Sequence, residues 1–215
     1  MSLVLVRKTD EFAAVVCDER MRIEDRNGNL IKIEDGHNKL LILRPDLVIG
    51  ITGISEVERV LRHRLLKFFH ANTHPDLFDR LRDKISEELR TLFTSFRTSL
   101  NDVHLRGFLG VVLVGVDQQQ KIRHVCWDSS KAPDFPAVEY SDDFLCLGGE
   151  KAVEYSQLLL LLSDPYLGPS ESLIELESVV RRVAEKYPEA VSQSGFSFLI
   201  RPTNVEAAPS SMRAQ

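Results

Sequence analysis

MSLVLVRKTDEFAAVVCDER (residues 1–20) opens the chain with two apolar runs, Leu3–Val6 and Phe12–Val16, around a polar turn. Short β-rich runs bounded by polar turn residues read as a hairpin. Both runs are too apolar for a strand with one wet face, so the hairpin belongs inside a layered core. Ser2 stands behind the initiator Met at the first rung, and Asp18-Glu19-Arg20 closes the second strand. The stretch therefore raises a second reading: Ser2 becomes the N-terminal residue, and a candidate nucleophile, once Met1 is removed.

The strand pattern continues outward from this hairpin. A polar segment after Arg20 reads as irregular. Lys39–Leu43 and Leu47–Ile51 then form a second strand pair joined by Arg44-Pro45-Asp46, where Pro sets the turn. Gly53 ends that pair. Ser55 with Glu58 reads as a capping box, in which the Ser hydroxyl takes one orphan N–H and the Glu reaches back. Val57, Val60, Leu61, Leu65 and Phe68 follow at helical period. A second helix is expected from Pro75, a favourable first-turn residue, with Leu77, Leu81, Ile85, Leu89, Leu92 and Phe96 on one face.

Strands are expected again at Phe108–Val116, Ile122–Trp127 and Phe144–Leu147. Helices then follow at 150–162 and 172–186, and a last strand at Gly195–Arg201. Runs of strands alternating with runs of helices argue for an α+β fold with antiparallel sheets and helices packed outside. No period repeats and no long linker divides the chain. Residues 1–201 read as a single domain and 202–215, ending APSSMRAQ, as a disordered tail.

Composition limits the function. The chain has 215 residues, 43% hydrophobic and 27% charged, with a net charge of −5. A nucleic-acid footprint needs a basic stripe, and here the basic residues are interleaved with acids along helices, as on a solvated face. The longest apolar run, Leu158–Leu162, is far below the roughly 20 residues that span a bilayer. The N-terminus lacks the charged region and cleavage site of a secretory signal. Cys17, Cys126 and Cys146 are odd in number, widely spaced and in apolar surroundings, which reads as reduced core cysteines of a cytoplasmic protein. His70 and His74 are four apart, but no acidic general base lies between them, so no metal site is expected.

Three segments, in order, carry a resemblance to the proteasome β-subunit and HslV-like family of N-terminal-nucleophile hydrolases. Ser2 is followed after sixteen positions by Asp18 and, two further on, by Arg20. NKLLILRPDLVIGITG (38–53) is similar to the family's Lys-bearing strand, Pro turn and Gly-ended strand. GFLGVVLVGVDQQQKIRHVCWDSS (107–130) is similar to its central hairpin.

Over residues 2–201 the resemblance implies a four-layer αββα sandwich, two antiparallel sheets between helix pairs. It implies cleavage of peptide or amide bonds with Ser2 as nucleophile, Asp18 and Lys39 as its tuning pair and Gly53 on the oxyanion side. A peptide or protein substrate, a homo-oligomeric ring and an unfoldase partner are implied with it, and no metal or organic cofactor. Such chemistry suits these residues. A free α-amine has a pKa of about 7.7–8.0, so it can act as base toward the hydroxyl of its own residue.

The chain departs from the family pattern in three places. NGNLIKIEDGHN (27–38) is longer than the family norm, so Lys32 competes with Lys39, and the distance to Pro45 and Gly53 favours Lys39. Leu147-Gly148-Gly149-Glu150 lacks the family's serine. Ala190–Gly195 lacks its Asp unless Glu189 substitutes, which leaves Ser192 and Ser194 as loop polar residues. Two alternatives stay open: a catalytically inactive scaffold or binding subunit, and a small-molecule amidohydrolase on the same fold.

Overall fold

A computed structural model describes residues 3–24, 30–53, 55–72, 76–99, 109–129, 134–202 and 210–212. The opening hairpin forms as read, β1 (Leu3–Lys8) against β2 (Ala13–Asp18), with Val4 opposite Cys17 and Lys8 opposite Ala13. Next come β3 (Met21–Glu24), β4 (Leu30–Glu34), β5 (Leu40–Arg44), β6 (Leu47–Thr52), α1 (Ser55–His70) and α2 (Leu77–Ser99). They are followed by β7 (Gly110–Val116), β8 (Ile122–Asp128), β9 (Val138–Glu139), β10 (Phe144–Gly148), α3 (Glu150–Leu160), α4 (Pro169–Lys186), β11 (Gly195–Ile200) and β12 (Ser210–Met212).

The strands form two five-stranded antiparallel sheets, ordered β10-β1-β2-β11-β12 and β5-β6-β7-β8-β9, and a separate ribbon, β3-β4. Alternation along each strand sorts the apolar residues into three cores. Val4, Val6, Val15, Val48, Val112 and Val114 fill the space between the sheets. Leu3, Leu5, Ala14 and Val16 turn the other way, toward α3 and α4, where they meet Leu176, Val180 and Val183. Ile49, Ile51, Leu113 and Trp127 turn toward α1 and α2, against Leu61, Leu65, Leu81 and Ile85.

The result is the αββα sandwich. Its sheets are covered on both faces, which is why their strands read as unbroken apolar runs. Gly50 sets how closely the sheets approach: a Cβ there would lie 3.0 Å from methyl carbons of both Val112 and Val4.

Several elements differ from the sequence reading. The segment taken as irregular contains the β3-β4 ribbon, with Met21 opposite Glu34. Its second strand is exposed from Leu30 to Ile33 and half-buried only at Glu34, so no buried apolar face marks it. β9 was not anticipated; it has only two residues. α4 begins earlier than expected, at Pro169, where the missing N–H costs nothing. Of the expected tail, Ser210–Met212 pairs with β11, and 203–209 and 213–215 lie outside the described residues. The expected second-helix start at Pro75 also lies outside them. No helix among the described residues is long and apolar enough to cross a membrane.

Candidate functional site

At one end of the sandwich the start of β1, the end of β2, the start of β5, the end of β6 and the start of β11 converge. Ser2, the sequence-predicted nucleophile, lies outside the described residues. The chain is fixed from the next residue on: the Leu3 N–H donates to Asp18 Oδ1 at 2.7 Å, and Leu3 lies opposite Gly148 of β10.

Asp18 and Lys39 meet here. Lys39 Nζ lies 2.7 Å from Asp18 Oδ1 and donates to the Asp18 carbonyl at 2.8 Å. Both side chains are buried, Asp18 completely and Lys39 to within 2%. Asp18 Oδ2 accepts from the Arg20 N–H at 2.9 Å and the Ser192 N–H at 3.4 Å. A buried carboxylate is tolerable only when paired and hydrogen-bonded, and this one has an ammonium and three backbone donors. The same environment acts on Cys17 next door: burial pushes its thiol up to about 12, against a smaller downward pull from Lys39.

Of the two competing lysines, Lys39 is therefore the one at Asp18. Lys32 is exposed on β4 and pairs with Glu34. Lys39 is held in place by its neighbours. Its carbonyl accepts from the Ile51 N–H at 3.0 Å. Arg62 of α1 straddles it, donating to the carbonyls of Asn38 at 2.6 Å and Leu40 at 3.2 Å. Arg62 in turn pairs with Glu58 at 2.9 Å, and Glu58 also holds His37 Nε2 at 3.0 Å. Burial raises the Glu58 carboxyl, but the hydrogen bond from His37 and the charges of His37 and Arg62 outweigh it and leave it below the usual carboxylate range. Glu58, read from sequence as a helix cap, thus anchors the Lys39 segment; the Ser55 side chain lies outside the described residues.

Gly53, exposed just past β6, has φ +116°, a conformation that strains any residue with a Cβ.

The turn before β11 supplies residues that sequence reasoning left as loop polar groups. Ser192 is buried; its Oγ accepts from the Glu19 N–H at 3.1 Å and donates to the Ser194 carbonyl at 2.6 Å. The Ser194 hydroxyl donates to the Glu19 carboxylate. Glu189, the suggested substitute for the missing Asp, is exposed, and Glu19 is the carboxylate at this turn. The one signal that could have found Ser192 is register: Gly195, three residues on, lies opposite Asp18. Arg20 ties the same turn to the β4–β5 loop. It pairs with Asp35 at 2.8 and 2.7 Å, and this hydrogen bond holds the Asp35 carboxyl below its usual range.

Beside this cluster, a cleft of about 360 Å³ opens between β8, β10 and α3. Tyr140, Cys126 and Leu147 line it, as does Gly148, the cross-strand partner of Leu3, while Asp128 and Glu150 give it an acidic margin. No cluster of metal-ligating side chains occurs among the described residues.

No family model matches the chain, and no curated protein matches it in sequence. Solved structures do resemble it. The chain is similar to the Gly-1 mutant of Anbu from Hyphomicrobium sp. strain MC1, at 12% identity and TM-score 0.77, over 100% of this chain and 88% of that one. It is similar to Anbu, an ancestral β-subunit, from Yersinia bercovieri, at 11% identity and TM-score 0.76, over 99% of this chain and 88% of that one. At these identities the likeness establishes the fold, a proteasome-like αββα sandwich.

Proposed function

We propose that the chain is a cytoplasmic, proteasome-like N-terminal-nucleophile hydrolase of peptide or amide bonds, with Ser2 as nucleophile after Met1 is removed. The observation that carries this reading is the buried Asp18–Lys39 pair, whose shared oxygen Asp18 Oδ1 also receives the Leu3 N–H. A buried ion pair adds little net stability over an apolar pair of the same size. What supports the reading is that Lys39 and the Leu3 N–H share one oxygen of Asp18, one residue along the chain from the proposed nucleophile.

In this mechanism the Ser2 α-amine takes the hydroxyl proton while Oγ attacks the scissile carbonyl carbon. Lys39 disfavours a second nearby positive charge and so keeps the amine in its basic form. Asp18 positions Lys39. Gly53, on the oxyanion side, lets the substrate backbone come close. The tetrahedral species collapses, the α-ammonium gives its proton to the leaving amine, and an ester on Ser2 remains. Water, deprotonated by the same amine, then hydrolyses that ester. The reading carries with it one catalytic domain over 1–201, a homo-oligomeric ring and an unfoldase partner.

Intact-protein mass spectrometry with and without a peptide epoxyketone tests it, because that reagent needs the hydroxyl and the amine together. Loss of Met1 and a single adduct mapped to Ser2 is the expected result; a retained Met1 sinks the mechanism. One observation favours a non-catalytic scaffold instead: the α3 entrance, Gly148-Gly149, has no hydroxyl to tune the amine. Loss of Met1 with no adduct would select the scaffold.

A further inference from the structure

The cleft of about 360 Å³ between β8, β10 and α3 collects charge of one sign. Asp128, Asp142 and Glu150 stand in its wall, and among the described residues no Lys, Arg or His lines it. Elsewhere the carboxylates are matched: Glu58 by Arg62, Asp35 by Arg20, Glu139 by Arg123 and Glu175 by Arg7. Asp142 and Glu150 form no ion pair among the described residues.

The negative field converges on Tyr140, the cleft's aromatic wall. Burial first, then Cys126 and the charges of Asp128 and Asp142, push its phenol up to about 12. A field that disfavours a phenolate favours a cation. His124 follows the same face of β8 as Cys126 and Asp128, since alternate residues of a strand point the same way. It is wholly buried, its ring lies 6.4 Å from that of Tyr140, and neither nitrogen has a hydrogen-bond partner among the described residues. Buried polar groups are nearly always paired, so this neutral ring points to a donor arriving from outside the chain.

We propose that this cleft binds an alkyl ammonium or guanidinium cation. The head sits between the three carboxylates and Tyr140, whose ring adds a cation–π contact. The stem lies along Phe144, Leu147 and Val153, which also line the cleft. Its volume is at the small end for ligand sites, which fits one extended side chain or a small amine rather than a larger ligand. Gly148 lines the cleft too and lies opposite Leu3, so the site adjoins the start of β1. Two sources carry this chemistry, a basic side chain of a peptide and a free amine. Binding of the cation does not depend on Ser2 chemistry.

Titration calorimetry of the full chain with pentylguanidinium tests it, with pentylurea as the neutral isostere and Asp142→Asn/Glu150→Gln as the variant. Both carboxylates are exposed, so the double variant keeps its fold, checked by circular dichroism and Tm. The expected Kd is about 1 mM or tighter, as suits so small a ligand. Pentylurea and the double variant each weaken it by about tenfold or more, and added salt weakens it further. Amide shifts on titration centre on Tyr140 and Gly148. If the double variant misfolds, Asp142→Asn alone replaces it, because Asp142 lies in a bend before β10; a loss of about threefold is then expected.

Absence of binding at about 10 mM overturns the proposal, since a useful site of this size binds more tightly. So does equal affinity for pentylurea, unchanged affinity in the folded variant, or shifts centred away from the cleft. One further arm separates the sources. Labelling of Ser2 by an arginine-bearing epoxyketone that pentylguanidinium competes away assigns the cation to a peptide side chain. Labelling indifferent to pentylguanidinium assigns it to a free amine. If Ser2 takes no epoxyketone at all, the hydrolase reading fails, the cation is again a free amine, and the calorimetry alone decides the cleft.

Discussion

Asp18 and His124 are both wholly buried titratable groups, and the structure treats them in opposite ways. Asp18 sits at a strand end where unpaired backbone donors converge, and its two oxygens are met by Lys39, Leu3, Arg20 and Ser192. His124 sits in mid-strand on β8, between Ile122 and Cys126, where the ladder has already consumed the backbone groups. Neither ring nitrogen finds a hydrogen-bond partner among the described residues, and the ring packs 6.4 Å from Tyr140. Burial, with a smaller push from the Lys8 charge, lowers it to about 4, against weaker upward pulls from Glu139, Asp142 and Asp143. His124 is therefore a neutral packing group. Here the buried charge persists because converging strand ends supply polar partners that a mid-strand position lacks.

The most disruptive way to break this contrast is Lys39→Met. It leaves the Asp18 carboxylate buried with no cation, at a cost of about 3–5 kcal/mol, and it abolishes epoxyketone labelling of Ser2. Adding Asp18→Asn should recover part of the stability and none of the labelling. Denaturant unfolding measures the first, and wild-type-like stability of Lys39→Met alone would mean that Asp18 needs no counter-charge.

His124 gives the next effect. Its folded pKa lies below its unfolded value, so the unfolded chain binds the extra proton first and stability falls as pH falls. The loss runs from about pH 6.5 to about pH 4 and totals about 3 kcal/mol. His124→Leu should flatten that limb. The depressed carboxylates, Asp35, Glu58 and Glu139, lose their contributions only at lower pH, as it falls through their folded values. An unchanged limb in His124→Leu would move the acid sensitivity to another group.

Arg62→Ala is milder. It removes two hydrogen bonds to the carbonyls flanking Lys39 and should cost roughly 1–3 kcal/mol. Labelling of Ser2 slows without vanishing, because the Asp18–Lys39 contact survives. Complete loss of labelling in a folded variant would make Arg62 part of the pair rather than its support.

What could be read from the sequence follows from how local each feature is. The β1-β2 hairpin and the β5-β6 pair were legible because their apolar runs are short, dense and bounded by turn residues. The Asp18–Lys39 contact was within reach because both residues close or open strands of legible hairpins, and the positive φ of Gly53 because a glycine ends a strand there. Ser192 was not, because its partners Asp18 and Glu19 lie more than 170 residues away and only strand register joins them. The β3-β4 ribbon was hidden for a different reason. Leu30, Ile31 and Ile33 are exposed, so the segment has no core face from which a period could be read. Hiding the ribbon also blurred the choice between Lys32 and Lys39, since the extra residues precede the lysine in question.

That choice sets the smallest prediction. Lys32 and Lys39 are the same residue type, seven positions apart, and spacing alone left them in competition. Lys32 lies on an exposed strand with Glu34 as its only partner among the described residues, and a solvated ion pair of this kind is worth about 0–1 kcal/mol. Lys32→Ala should therefore leave unfolding within about 0.5 kcal/mol of wild type and the Ser2 labelling rate unchanged. A labelling rate that drops with Lys32→Ala, at unchanged stability, would put the ribbon over the reactive end and transfer the tuning charge from Lys39 to Lys32. The null result carries equal weight. The same charge removed from a wet strand and from a buried strand end would then differ only in where the fold has placed it.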